Sequence, residues 1–74
     1  MSMSNRDYAV LAEVIGRHLG VYAASSTSPA IRGAKMAAVD ELSEDLIRRL
    51  VREHPRFDSG RFRDAIQLAR DSVR

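Results

Sequence analysis

The run His54-Pro55-Arg56-Phe57-Asp58-Ser59-Gly60-Arg61-Phe62 forces one helix to end and another to begin. Proline has no N–H and disfavours the α conformation in the residue before it. A helix reaching Glu53 must therefore stop near His54. Asp58 then stands where an N-cap belongs, its carboxylate placed to accept the free N–H of Gly60 or Arg61. Phe57 precedes that cap and Phe62 falls at the fourth helical position, the spacing of a hydrophobic staple. Both phenylalanines of the chain are thus committed to one corner.

With the corner fixed, the remainder reads as two longer helices. Ser4, with Asp7 three residues on, is a capping box that starts the first, expected over residues 5–24. Tyr8, Leu11, Ile15, His18 and Tyr22 recur at spacings of three and four and share one face. Val10, Val14 and Val21 lie beside it, and Ala9, Ala12, Gly16, Gly20 and Ala23 form a small-residue stripe on the other flank. Only Arg6, Glu13 and Arg17 make a polar strip. A helix that is apolar around most of its circumference is normally buried. After Ser25-Ser26-Thr27-Ser28, Pro29 suits the first position of a second helix, expected over 29–53. Its early half is small: Ala30, Gly33, Ala34, Ala37 and Ala38. A short loop makes the two helices antiparallel neighbours. That predicts a close crossing of Gly16 and Gly20 against Ala34 and Ala37. Helix-interior glycines cost ~1 kcal/mol each relative to alanine, which close packing would offset.

Farther along, Ala38, Leu42, Leu46 and Leu50 recur every four residues. Because 3.6 residues make a turn, this apolar surface wraps around the helix. Glu44 with Arg48 and Asp45 with Arg49 have the favourable i,i+4 order, worth ~0.2–0.5 kcal/mol each. The third helix is expected over 59–73, with Phe62, Ala65, Ile66, Ala69 and Val73 as its apolar stripe. The predicted fold is all-α: one domain over 1–74, a long antiparallel hairpin plus a shorter third helix.

The corner also carries a resemblance. Pro55, Arg56, Phe57, Asp58, Arg61 and Phe62 are similar to the ending of small helical proteins encoded by actinobacteriophages and actinobacteria. Those close with Asn-Pro-Arg-Phe-Asp, two variable residues, Arg-Phe and a short helix. Here His54 stands for the asparagine, and the Ala-Ala-Cys that often follows is absent. The resemblance implies a source of that kind and brings no catalytic residues with it.

Composition narrows the chemistry. At 74 residues the core is small, worth ~3–5 kcal/mol unless something staples it. There is no cysteine, which excludes disulfides and thiolate metal sites and leaves self-association as the common staple. Lys+Arg 12 against Asp+Glu 10, net +2, describes a mixed surface and not a polybasic one. Eleven of the twelve basic residues are arginine, which fits either a GC-rich genome or an arginine-based recognition surface. The start has no basic segment followed by an apolar run, and no stretch of ~20 apolar residues occurs. The expectation is a cytoplasmic protein that neither spans nor binds a membrane.

No nucleophile elbow, Gly-rich phosphate loop or metal-ligand cluster is present, so no catalytic residue, metal or cofactor is expected. Asp40, Glu41, Glu44 and Asp45 read as a solvated acidic face. His18 is either a hydrogen-bonded interfacial histidine or a pH-sensitive one. Arg63, Gln67, Arg70 and Arg74 form a stripe suited to guanine and adenine edges in a major groove. Asp64 and Asp71 beside it would repel phosphates, and the connection before it is longer than a helix-turn-helix turn. The expected function is a non-enzymatic interaction protein that self-associates and binds a host or phage protein. Tyr8, Val10, Leu11, Val14, Ile15, His18, Val21 and Tyr22 are the candidate oligomer interface. The second reading is a small DNA-binding regulator using the last helix.

Overall fold

The computed structural model describes residues 3–73. These residues form three helices, α1 (Asn5–Ala24), α2 (Pro29–Glu53) and α3 (Ser59–Asp71), and the fold is all-α.

Each helix starts where its cap dictates. Ser4 Oγ accepts the N–H of Asp7 at 3.2 Å while Asp7 Oδ2 accepts the N–H of Ser4 at 2.9 Å, which closes the capping box. Ser28 Oγ accepts the N–H of Ile31 at 3.3 Å, with Pro29 in the first turn. Asp58 Oδ1 accepts the N–H of Arg61 at 3.0 Å. At the C-terminal end of α2 the N–H of His54 still donates to the Leu50 carbonyl at 2.9 Å, and Pro55 permits no further bond. α3 stops at Asp71, short of the expected residue 73. There the Ser72 hydroxyl donates to the carbonyls of Leu68 at 2.9 Å and Ala69 at 3.0 Å, a side-chain bond that competes with continuation of the helix.

The core takes one residue from each helix: Ala12, Ile47 and Phe62. Tyr8, Leu11, Ile15, Leu46, Phe57, Ala65 and Ile66 pack around them. The Phe57 and Phe62 rings lie 5.3 Å apart, and Tyr8 joins them 4.9 Å from Phe57. The staple that turns α2 into α3 therefore also holds the start of α1. Tyr8 further reaches to 6.2 Å from the His54 ring at the end of α2. In the early part of α2, Lys35 Nζ lies 5.6 Å from the ring of Tyr22 near the end of α1.

The close crossing has a different partner from the one the sequence predicts. A Cβ on Gly16 would lie 2.6 Å from Ala69 Cβ and 3.0 Å from the Arg70 nitrogen, with the Ile66 carbonyl oxygen nearer still. A Cβ on Gly20 would lie 2.6 Å from Val73 Cγ2 and 2.7 Å from the Arg70 oxygen. The glycine face of α1 thus packs on α3, and Ala34 and Ala37 are exposed. Nothing lies within 4 Å of a Cβ built on Gly33. The physical reason is that α3 presents the small Ala69 there, which lets its backbone at Ile66 and Arg70 approach the glycines. A short α1–α2 loop makes those helices neighbours without requiring their small residues to face each other.

Helix length explains what remains uncovered. The molecule measures 40 × 21 × 20 Å, and a 25-residue helix at 1.5 Å per residue spans ~37 Å, nearly the long axis. α3, with 13 residues, spans only ~20 Å. The first turns of α2 extend past it, and Ala30, Ile31, Gly33, Ala34, Lys35, Ala37 and Ala38 are exposed. Ser43 is the buried polar residue of α2, satisfied by donating to the Val39 carbonyl at 2.8 Å.

Candidate interaction surfaces

Val10, Val14 and Val21 form a row on α1 that is 52%, 50% and 54% exposed. At about 100° per residue the three fall within an arc of roughly 40°, and Val14 lies about 160° from Gly16. The row therefore points away from α3. His18 is exposed beside it, its ring 6.1 Å from that of Tyr22.

The other interface candidates are used inside the chain. Tyr8, Leu11 and Ile15 pack against the Ala12–Ile47–Phe62 core, and Tyr22 is half-buried under Lys35. Leu11 and Ile15 thus serve internal packing instead of the expected interface, while Tyr8 both packs on the core and lines the corner cleft. The apolar arc of α1 is too wide for a sequence to say which part its own chain covers; α2 and α3 take the side that contains these residues.

The polar stripe of α3 is largely engaged. Arg63 forms a two-pronged ion pair with Glu44 of α2, with its Nη2 2.8 Å from Oε2. That hydrogen bonding holds the Glu44 carboxyl below its ordinary value, against a smaller opposing effect of partial desolvation; the charges of Arg63 and Arg48 add to the lowering. The same bond raises the Arg63 guanidinium above its usual value. Gln67 Nε2 donates to Asp71 Oδ1 at 2.9 Å, and Arg70 is half-buried where its backbone meets Gly16 and Gly20. Arg74 lies outside the described residues. Arg63 and Gln67 each hold one intramolecular partner, while the Arg70 guanidinium has no ion-pair partner among the described residues.

Glu44 also alters the expected pairing along α2. Glu44 pairs with Arg63 of α3 in place of Arg48, and in place of pairing with Arg49, Asp45 lies 3.7 Å from Arg48. Both of those side chains are largely solvated, so the contact contributes little.

The corner residues Pro55, Phe57, Asp58 and Phe62 line a cleft of about 720 Å³, together with Met3, Asn5, Tyr8, Ala9, His54, Arg56, Arg61 and Ala65. Tyr8, Phe57 and Phe62, in mutual aromatic contact, supply much of its apolar lining. The staple spacing predicts the two phenylalanines in contact; it does not predict that Tyr8 completes a cleft or that Arg56 and Arg61 rim it. A shallower groove between α1 and α3 runs past Glu13, Arg17 and Leu68. Leu68 is highly exposed, and it sits off the apolar stripe of α3, which is why periodicity passes over it.

Among the described residues, no cluster of three or more His, Cys, Asp or Glu side chains could hold a metal ion. Among the same residues, no helix is long and apolar enough to cross a membrane. Compared with protein-family models, curated proteins and solved structures, the chain matches none.

Proposed function

We propose that this chain is a non-enzymatic helical interaction protein, encoded by a phage or an actinobacterium, that acts in the cytoplasm by associating with itself and with a host or phage protein. In this reading α1 and α2 pair as an antiparallel hairpin, supported by Tyr8 lying near His54 and Tyr22 near Lys35. The observation that carries the reading is the valine row of α1. Three β-branched apolar side chains, each about half exposed, line the side of the helix opposite its own core. Isolated surface hydrophobics need no explanation, whereas an aligned set on one face marks an interaction site. Closed two-fold pairing is the commonest way to cover such a face.

Sedimentation equilibrium at micromolar concentration tests this. The wild-type chain is expected above monomer mass, and a chain carrying Val10→Glu and Val14→Glu is expected to lose that contact. A wild-type monomer throughout, or an unchanged variant, refutes it. The DNA-binding reading predicts salt-dependent duplex binding that an Arg63→Ala, Arg70→Ala chain would lose. Asp64 and Asp71, exposed beside that stripe, would repel phosphates and favour the first reading.

A further inference from the structure

The corner cleft has an apolar lining and a charge that its own chain leaves unanswered. Its one acidic lining residue is Asp58, and that carboxylate is occupied in capping α3 at 3.0 Å from the Arg61 nitrogen. Among the described residues, neither Arg56 nor Arg61 forms an ion pair with a carboxylate. Both are exposed at the rim.

The chain carries an apolar side chain with carboxylates beside it on the middle of α2. Leu42 is 67% exposed. Glu41 precedes it and Asp45 follows one turn on, both exposed. Glu41 has no ion-pair partner among the described residues, and Asp45 is held only by the long, solvated contact with Arg48. The cations nearest Leu42 on its own side of the helix, Lys35 and Arg49, are seven residues away, which is about 10 Å along the axis. The two surfaces cannot meet within one molecule. Leu42 lies in the middle of α2 and His54 caps its C-terminal end, about 18 Å of rise farther on.

We propose that the cleft receives α2 of a second copy, with Leu42 of that copy seated on the Tyr8–Phe57–Phe62 cluster and its Glu41 and Asp45 facing Arg56 and Arg61. This rests on the self-association reading and extends it. The valine row pairs like with like, whereas cleft and Leu42 are different patches. Joining different patches builds a ring or an open chain of copies unless a two-fold axis happens to relate the two contacts. A chain with both contacts assembles beyond a pair.

Sedimentation velocity and light scattering on the full chain test the assignment, with helicity followed by circular dichroism. The wild type is expected above dimer mass. A chain with Arg56→Glu and Arg61→Glu is expected to lose every species larger than a pair with unchanged helicity, because both positions are exposed and neither caps a helix. Adding Glu41→Arg and Asp45→Arg to that same chain reverses both sides of the contact and is expected to restore the larger species. Leu42→Ala alone is expected to lose the larger species likewise. If the wild type is a dimer that the cleft substitutions leave unchanged, the cleft assignment fails and the valine-row reading stands. If the wild type is a monomer at every concentration, both fail. If a fluorescein-labelled acidic peptide with one leucine occupies the cleft while the protein's mass ignores Leu42→Ala, the occupant is a foreign segment and the second-copy assignment is overturned.

Discussion

Gly16 and Gly33 are both interior helical glycines, and alanine at the two positions should move stability in opposite directions. Replacing glycine by alanine in a helix gains ~1 kcal/mol from backbone propensity alone. At Gly33 the added methyl meets nothing within 4 Å, so that gain should appear undiminished. At Gly16 the methyl would sit 2.6 Å from Ala69 Cβ and 3.0 Å from the Arg70 nitrogen, with the Ile66 carbonyl closer still. Carbon atoms rest ~3.5–4.0 Å apart, so the two helices must separate by about 1 Å. Two of the three obstacles are backbone atoms, which cannot rotate aside. That points to the upper half of the ~1–3 kcal/mol range for overpacking, and to a net loss of ~1–2 kcal/mol after the propensity gain. For a domain of this size 1 kcal/mol shifts Tm by ~4–8 °C. Gly33→Ala should therefore melt several degrees higher and Gly16→Ala several degrees lower than the parent. Thermal unfolding followed at 222 nm, with all chains at one concentration, decides it. A Gly16→Ala chain as stabilised as Gly33→Ala would refute the α1–α3 crossing.

The N-cap of α3 should be worth ~0.5–2 kcal/mol, so Asp58→Ala should lower the urea midpoint without changing the slope; an unchanged midpoint would mean that the capping bond contributes nothing. Glu44 titrates below its ordinary value in the folded chain because Arg63 bonds its carboxylate. Its contribution to stability is therefore complete above the usual carboxylate range and is lost as pH falls through the lowered value. Carboxyl NMR titration should show the Glu44 midpoint rising toward normal in Arg63→Ala, and an unmoved midpoint would remove the ion pair from the account. Self-association predicts that Tm climbs with protein concentration over about a 100-fold range, since assembly favours the folded chain by mass action. A Tm independent of concentration contradicts it.

Helix existence and helix starts were legible because the signals are local. Ser4 with Asp7, Ser28 with Pro29, and Asp58 each act within one turn, and each bond forms as the residue types require. The Phe57–Phe62 contact was legible for the same reason. Partner choice was not. Gly16 and Gly20 announce that some backbone comes close, and only three-dimensional packing assigns that backbone to Ala69 and Arg70 of α3 instead of Ala34 and Ala37 of α2. Likewise Tyr8, Leu11 and Ile15 look the same in periodicity as the valines next to them. What separates them is where α2 and α3 land. Glu44 could pair within its own helix or across to Arg63, and its sequence neighbours do not distinguish the two.

The magnitude of the valine row bears on how many contacts an assembly needs. Fully burying a valine gains ~1.5–3 kcal/mol, and these three are already about half buried, which leaves roughly 1 kcal/mol each. Over the two copies of a pair that amounts to about 6 kcal/mol. Association itself costs ~4–15 kcal/mol in lost translation and rotation, so the row alone supports at most a weak pair. Extending the same contact is difficult, because Arg6, Glu13 and Arg17 border it on one side. A second contact made elsewhere shares that cost within one closed assembly, since the copies are already held together. Leu42 is an exposed apolar residue of α2 with Glu41 and Asp45 along one flank, and the corner cleft is lined by two arginines that have no ion-pair partner among the described residues. The small core and the short third helix thus favour the same outcome: α1 and α2 each keep apolar surface that a second copy can cover.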